Sequence, residues 1–414
     1  MVVRMKKALL LAAVAIVVVA ASVAASSGPK AAASGSGHTY TIGVLTDLTG
    51  LASSAELSTP SGVKAGVGYE NAHGYKLKYV VADAGSSPGG ALTAAQKLVE
   101  QDHVFAVIAV SGVTFGAAPY LLSNGIPVFG SASDASEWTT DRNMFSVFGT
   151  ANYTKVTTTD GLFFKLVGAK NIGSIGYSIS PSSSETAEAA AVSVEAAGLK
   201  AGYLNAAFPF GGTNVAPVAL AMKNAGVDGI TAAVEENTAF ALVTALRQDG
   251  VTLKAPLLSV GYGGDLYSAG PAAEHDAQGD YFTLSYEPIE MHTAATELIS
   301  NAMKTYAGVK EDPTLNQYIG FLSVVGFVDG LKAAGHDPTQ AQVINSTLGI
   351  RDWNAAGLFG SHSIGFAMDQ RGLSSGADNC LWVTRFSGTT FHLVTGADPI
   401  CGKVIPGKTV SAAS

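Results

Sequence analysis

Three stretches of this chain carry residue patterns associated with chemistry, and their flanks decide what each pattern means. Gly402-Lys403-Val404-Ile405-Pro406-Gly407-Lys408-Thr409 matches a phosphate-binding loop. Such a loop works where it leaves a strand and opens a helix whose N-terminal N–H groups face the phosphates. Only five residues follow Thr409, too few for that helix, so the match is set aside. Gly85-Ser86-Ser87-Pro88-Gly89 and Gly372-Leu373-Ser374-Ser375-Gly376 match the nucleophile elbow of hydrolases, but a chain with 48 glycines produces such matches by chance. An elbow serine needs a histidine and an acid arriving from later loops. The eight histidines (His38, His73, His103, His275, His292, His336, His362 and His392) show no such placement. A polar turn between a strand and a helix is the expectation for 85–89.

None of these histidines has a partner at metal-ligand spacing, so no metal site is expected. Gly66-Val67-Gly68 runs on into Tyr69, Glu70 and Asn71 inside a helical stretch, which excludes a dinucleotide fingerprint. The expectation is a protein with no cofactor and no catalytic activity. Two cysteines, Cys380 and Cys401, flank two strand-like runs, 381–386 and 389–394, joined by Ser387-Gly388. That pattern is a hairpin signal, and in an exported chain an even pair of cysteines predicts a disulfide.

Export is predicted by the first 25 residues. Arg4, Lys6 and Lys7 precede an apolar run from Ala8 to about Ala21, followed by Ser22-Val23-Ala24-Ala25. A basic start, an apolar centre and small residues at the end make a signal peptide over 1–25. Left uncleaved, the same run would act as an anchor. No cysteine follows it, which excludes a lipid-anchored mature N-terminus. The Gly/Ser/Ala-rich stretch 26–39 reads as a flexible linker, and the C-terminal tail reads likewise. The formal net charge of −8 and the scattered Lys and Arg give no nucleic-acid footprint.

Strands and helices alternate through the remainder. Strand-like runs fall at 40–46, 76–82, 104–109, 127–130 and 145–149, with helices at 62–71, 91–101 and 115–123 between them. The pattern restarts with strands at 171–177, 201–204, 229–233 and 256–260 and helices at 154–166, 185–197, 215–224 and 238–248. From residue 294 the texture is more helical, at 294–306, 317–334 and 340–346. Two such series predict an α/β protein with two doubly wound parallel-sheet lobes.

Within this order, Ile42-Gly43-Val44-Leu45-Thr46-Asp47-Leu48-Thr49-Gly50 resembles the opening strand and turn of the type I periplasmic binding proteins, in the leucine/isoleucine/valine-binding branch that serves ABC importers. Val80-Val81-Ala82-Asp83-Ala84-Gly85-Ser86-Ser87-Pro88-Gly89 is similar to the second strand and helix entry of that family. Gly125-Ile126-Pro127-Val128 resembles its strand leading to the ligand loop, and Ala169-Lys170-Asn171-Ile172 and Leu253-Lys254-Ala255-Pro256 fit its second lobe. The resemblance implies two lobes joined by a three-stranded hinge, with crossings near 148–150, 284–287 and within 367–376. Lobe one would hold 40–148 plus 286–366, and lobe two 149–285 plus 367–414. It also implies an exported, monomeric solute-binding protein of the periplasm, cell envelope or exterior, docking on an ABC permease. An extracellular sensing module on the same fold is the alternative.

Ligands of open α/β sheets sit beyond the carboxyl ends of the strands. Ser111 and Gly112 follow one predicted strand, and Ala132, Ser133 and Asp134 follow the next. Both loops are equally suited to capping helices. The resemblance places Ser111 against a ligand carboxylate and gives the 132–134 loop backbone and hydroxyl donors, with Asp134 where the family carries Thr. In lobe two, Tyr262 adjoins Gly261, the position of the family's amine-binding acid, and Glu235-Glu236-Asn237 stand where aromatics are usual. These substitutions predict a ligand other than a branched-chain amino acid. Three acids, Asp134, Glu235 and Glu236, favour something cationic or rich in hydroxyls. Alternatively, the two glutamates simply open the helix at Thr238.

Overall fold

A computed structural model describes residues 37–149, 154–372, 376–394, 396 and 398–412. The expected signal peptide and most of the expected linker lie outside the described residues. Among the described residues, no helix is long and apolar enough to cross a membrane.

The first series of strands forms one parallel sheet. It comprises β1 (Tyr40–Thr46), β2 (Leu77–Asp83), β3 (Ala106–Val110), β4 (Val128–Gly130) and β5 (Met144–Ser146), in the order β2-β1-β3-β4-β5. Every residue of β3, Ala-Val-Ile-Ala-Val, is buried, as a parallel strand covered on both faces requires. Helix Leu315–Ala334 is apolar almost all round and lies against helix Thr59–Ala72. Gly62 permits that contact, because a Cβ there would sit 2.3 Å from the Gln317 carbonyl oxygen. Thr314 opens the long helix with a capping box, its Oγ1 accepting from Gln317 N while Gln317 Oε1 accepts from Thr314 N.

After β6 (Lys155–Thr157), the second sheet takes β7 (Asn171–Tyr177), β8 (Lys200–Phe208), β9 (Gly229–Ala233), β10 (Ala255–Leu258) and β11 (Tyr281–Leu284) in parallel. The C-terminal hairpin, β12 (Cys380–Ser387) and β13 (Thr390–Leu393), adds antiparallel to β11, giving the order β13-β12-β11-β10-β9-β7-β8. The second sheet is therefore mixed at one edge, where the chain returns after the helical segment.

Two expectations from the sequence are corrected by this architecture. The stretch 154–166 is not one helix: Lys155–Thr157 is strand β6, and the helix runs Thr159–Val167. The tail is not a linker, because β14 (Ile400–Cys401) pairs with β12 and β15 (Val404–Thr409) pairs antiparallel with β6. Most of β15 is exposed, so the tail shows no alternation of apolar and polar residues. Strand geometry across 404–409 also removes any phosphate-loop helix.

Cys380 and Cys401 stand opposite one another in the β12–β14 pair and are bonded, S–S 2.04 Å. His362 lies against them, Nε2 3.7 Å from Cys380 Sγ. Both sulfurs are committed to each other, so this trio offers no thiolate to a metal. Closing a loop of 21 residues is worth about 3 kcal/mol in the chain-entropy model. Reduction should therefore lower the urea unfolding midpoint, whereas a midpoint unchanged by dithiothreitol would show the bridge to be energetically idle.

Candidate functional site

The carboxyl ends of both sheets open onto one cavity of about 310 Å³. Gly112 beyond β3 and Ser131 and Ser133 beyond β4 line it from the first sheet. Tyr177 and Ser180 at β7, Glu235 beyond β9 and Ser259 beyond β10 line it from the second. The two walls touch. Ser182 N donates to the Asp134 carbonyl at 3.0 Å, and Ser180 Oγ donates to the same oxygen at 3.1 Å. Opposite, a Cβ placed on Gly112 would lie 3.6 Å from Glu235 Oε1 and 3.9 Å from the Phe210 ring.

Two aspartates anchor the loops of the first wall. Asp83, at the end of β2, accepts from Leu48 N, Thr49 N, Thr49 Oγ1 and Gly85 N at 2.6–3.2 Å. Burial pushes its carboxyl up, but the bonds from Thr49, Gly85 and Leu48 outweigh it and hold the group below the usual range. Asp47 accepts from Ser86 N at 2.7 Å and from Ser111 Oγ at 2.8 Å. For Asp47 burial wins and the carboxyl is raised, the Ser111 and Ser86 bonds offsetting only part of the cost. Ser86, in one elbow match, thus braces a turn, its hydroxyl donating to the Thr49 carbonyl. Ser87, the central residue of that match, caps helix Pro88–Gln96 by accepting from Gly90 N at 3.1 Å.

Of the eight residues expected to bind ligand, Gly112, Ser133 and Glu235 line the cavity, and the other five are placed elsewhere. Ser111 is wholly buried with its hydroxyl given to Asp47. Ala132 is buried behind the wall. Asp134 turns its carboxylate back into its own sheet layer, accepting from Trp138 Nε1 at 2.9 Å and Phe115 N at 2.6 Å. Glu137 adds a third donor, because burial and the Asp134 charge push its carboxyl up to about 10 and its proton is shared with Asp134. Glu236 is buried in the first turn of helix Glu236–Gln248, and burial raises its carboxyl to about 7. Tyr262 is a core residue, its hydroxyl donating to Glu290 Oε2 at 2.8 Å and its ring against Phe391.

The cavity also takes residues that no sequence pattern singles out. Glu56 ends the short helix Ser53–Glu56 after β1, Asp160 and Asp265 lie in the first turns of their helices, and Lys155 sits on β6. Phe210 meets Tyr177 edge-on, with ring centroids 5.1 Å apart. Burial raises the carboxyls of Glu56, Glu235, Asp160 and Asp265, Glu235 to about 8 and Asp160 to about 6. The β-strand ends that carry Tyr177 and Glu235 were legible, so their C-terminal loops offered the one available signal. Glu56 had none, because it falls in what reads as a turn.

Compared with known proteins, residues 39–390 match the family model described as periplasmic binding protein. No curated protein matches significantly. Among solved structures, a leucine binding protein of Thermotoga maritima superposes with a TM-score of 0.71 at 17% identity, over 87% of this chain and 99% of that one. A branched chain amino acid ABC transporter protein of Thermus thermophilus with bound valine gives 0.70 at 17%, over 89% and 97%. A solute binding protein of an R. palustris ABC transporter in complex with benzoate gives 0.72 at 16%, over 89% and 99%. The fold is thus the two-lobed one of type I binding proteins, and the chain belongs to the periplasmic binding protein family.

Proposed function

We propose that this chain is the exported solute-binding protein of an ABC importer, capturing one small polar molecule in the cavity between two lobes and handing it to a membrane permease. The observation that carries this reading is the cavity of about 310 Å³ lined from the carboxyl ends of both sheets, with hydrogen bonds joining its two walls. Hinge closure around a ligand is the motion such an arrangement serves. Lobe one comprises 40–148 and 286–366, with helix Leu315–Ala334 packed on the first sheet, and lobe two comprises 149–285 and 367–414. Tyr286, at one crossing, donates its hydroxyl to the Val147 carbonyl at another, 2.9 Å away. The protein has no catalytic role, acts as a monomer and is directed outward by residues 1–25. Serines of the wall cap and brace helices or point into the cavity, without the histidine a nucleophile requires.

A thermal-shift screen of amino acids, amides, polyamines and small acids tests the reading. A ligand present at a hundred times its Kd stabilises by about 2.7 kcal/mol, a rise of several degrees in melting temperature. One class should respond, with one site per chain by calorimetry. Silence from every class at millimolar concentration counts against solute capture.

A further inference from the structure

We infer that the cavity is built for an amine- or guanidinium-bearing cation, clamped between the carboxylates of Glu56 from one wall and Glu235 from the other. This inference deepens the solute-binding reading and rests on it.

Glu56 carries the argument furthest. Its side chain is 94% buried, since only 6% of its surface is exposed, and Oε2 has no hydrogen-bond partner, although the residue lines a cavity large enough for a ligand. A buried carboxyl oxygen without a partner is costly and calls for an explanation, and here it faces a cavity that can hold a ligand. Glu235 has the same character. It occupies the N-cap position of helix Glu236–Gln248, yet its side chain makes no capping bond and instead approaches Gly112. The backbone N–H of Glu235 donates to the Tyr177 hydroxyl, which fixes the residue at the cavity wall. Ser182 supplies a separate sign of a polar ligand: it lines the cavity, is only 2% exposed, and its Oγ is unbonded.

The remainder of the lining sets the sign of the ligand. Asp160 and Asp265 also border the cavity, and Lys155 is the only base among the described lining residues. Four carboxyls against one ammonium leave acidic groups in excess, so an entering cation can be paired by carboxylates that its own charge ionises. A carboxylate ligand would find no cation but Lys155 among the described lining residues. Phe210 and Tyr177 add aromatic faces beside Glu235, a favourable setting for an alkylammonium or guanidinium.

The titratable groups around the clamp are acidic or tyrosyl apart from Lys155 on β6. Glu56 is pushed up by burial and then by Glu235, Asp47 and Asp134, and Glu235 by burial and then by Asp47 and Glu236. The ligand-free closed cleft therefore holds protons on the clamp, and a cation entering between the two carboxylates releases them to solvent. Binding of the cation should release protons and weaken as the pH is lowered.

The test uses the full chain with 1,4-diaminobutane, spermidine, arginine, leucine and benzoate as probes in thermal shift and calorimetry. Expected are a rise in melting temperature with at least one amine or guanidinium probe and proton release, seen as buffer-dependent heats. Glu56→Gln and Glu235→Gln should each weaken that probe about tenfold or more, as loss of a charged hydrogen bond does. Their ligand-free melting temperatures should hold or rise, since each change removes a buried acid, so a folding defect is not mistaken for lost binding. If leucine or benzoate stabilises and no cation does, this inference fails while solute binding stands. If both amide variants bind the cation as the parent does, the clamp is wrong. If no probe acts, both readings fall.

Discussion

Asp134→Ala should destabilise the protein by about 3–5 kcal/mol, the range seen when one partner of a buried charged network is removed. Three buried donors lose their acceptor at once: Trp138 Nε1, Phe115 N and the protonated Glu137 carboxyl. Trp138 and Glu137 are themselves buried, so water does not readily replace the lost carboxylate. Asp134→Asn should lose roughly half as much, because the amide keeps one acceptor oxygen but turns an N–H₂ toward a donor. Urea unfolding measures both, and the slope should stay constant while the midpoint falls. The Asp134 carboxylate does not line the cavity, so ligand affinity of the folded variants should stay within about twofold of the parent. A variant of normal stability with strongly reduced affinity would place this carboxylate against the ligand instead.

Asp134 also shows what was legible in the sequence and what was not. The strands β1, β7 and β9 match the runs read from alternation and β-branched content, and the hairpin and the cysteine pair emerge from local signals alone. These features depend on residues close in sequence. The expectation that the loops after β3 and β4 reach the cavity also holds for Gly112 and Ser133, because strand direction decides which loops face the cleft. The direction of a side chain within such a loop is set by partners far along the chain. Ser111 turns to Asp47, 64 residues away, and Tyr262 to Glu290. Asp134 offered one local sign, since Trp138 lies four residues on with a donor that needs an acceptor. Glu56 was hidden because a four-residue helix has no period to read. The strand β15 was hidden because its partner, β6, lies some 250 residues earlier.

The second large effect is on pH, and its sign follows from the direction in which each carboxyl is moved. Burial raises Glu56, Glu235, Glu236 and Asp265 above their ordinary values, Glu235 to about 8 and Glu236 to about 7, and neighbouring acids add to the rise for three of them. Each is a carboxyl whose folded pKa exceeds its unfolded one. Between the two values the native state binds more protons than the unfolded chain, so stability falls as pH rises. The contribution is complete below about pH 4, where both states are protonated, and is lost as pH passes the folded values. Asp83 and Asp228 are moved downward and act oppositely, but only at acid pH. The ligand-free protein should therefore be most stable near pH 5 and lose several degrees of melting temperature by pH 8, since each tenfold gain in a carboxyl's proton affinity on folding is worth roughly 1.4 kcal/mol before screening. Glu235→Gln should flatten the slope, since the amide has no proton to lose. A bound cation should flatten it too, by stabilising the ionised clamp that the ligand-free cleft disfavours. A melting temperature that climbs from pH 5 to 8 in the ligand-free protein would mean that these carboxyls are solvated and ionised in an open cleft.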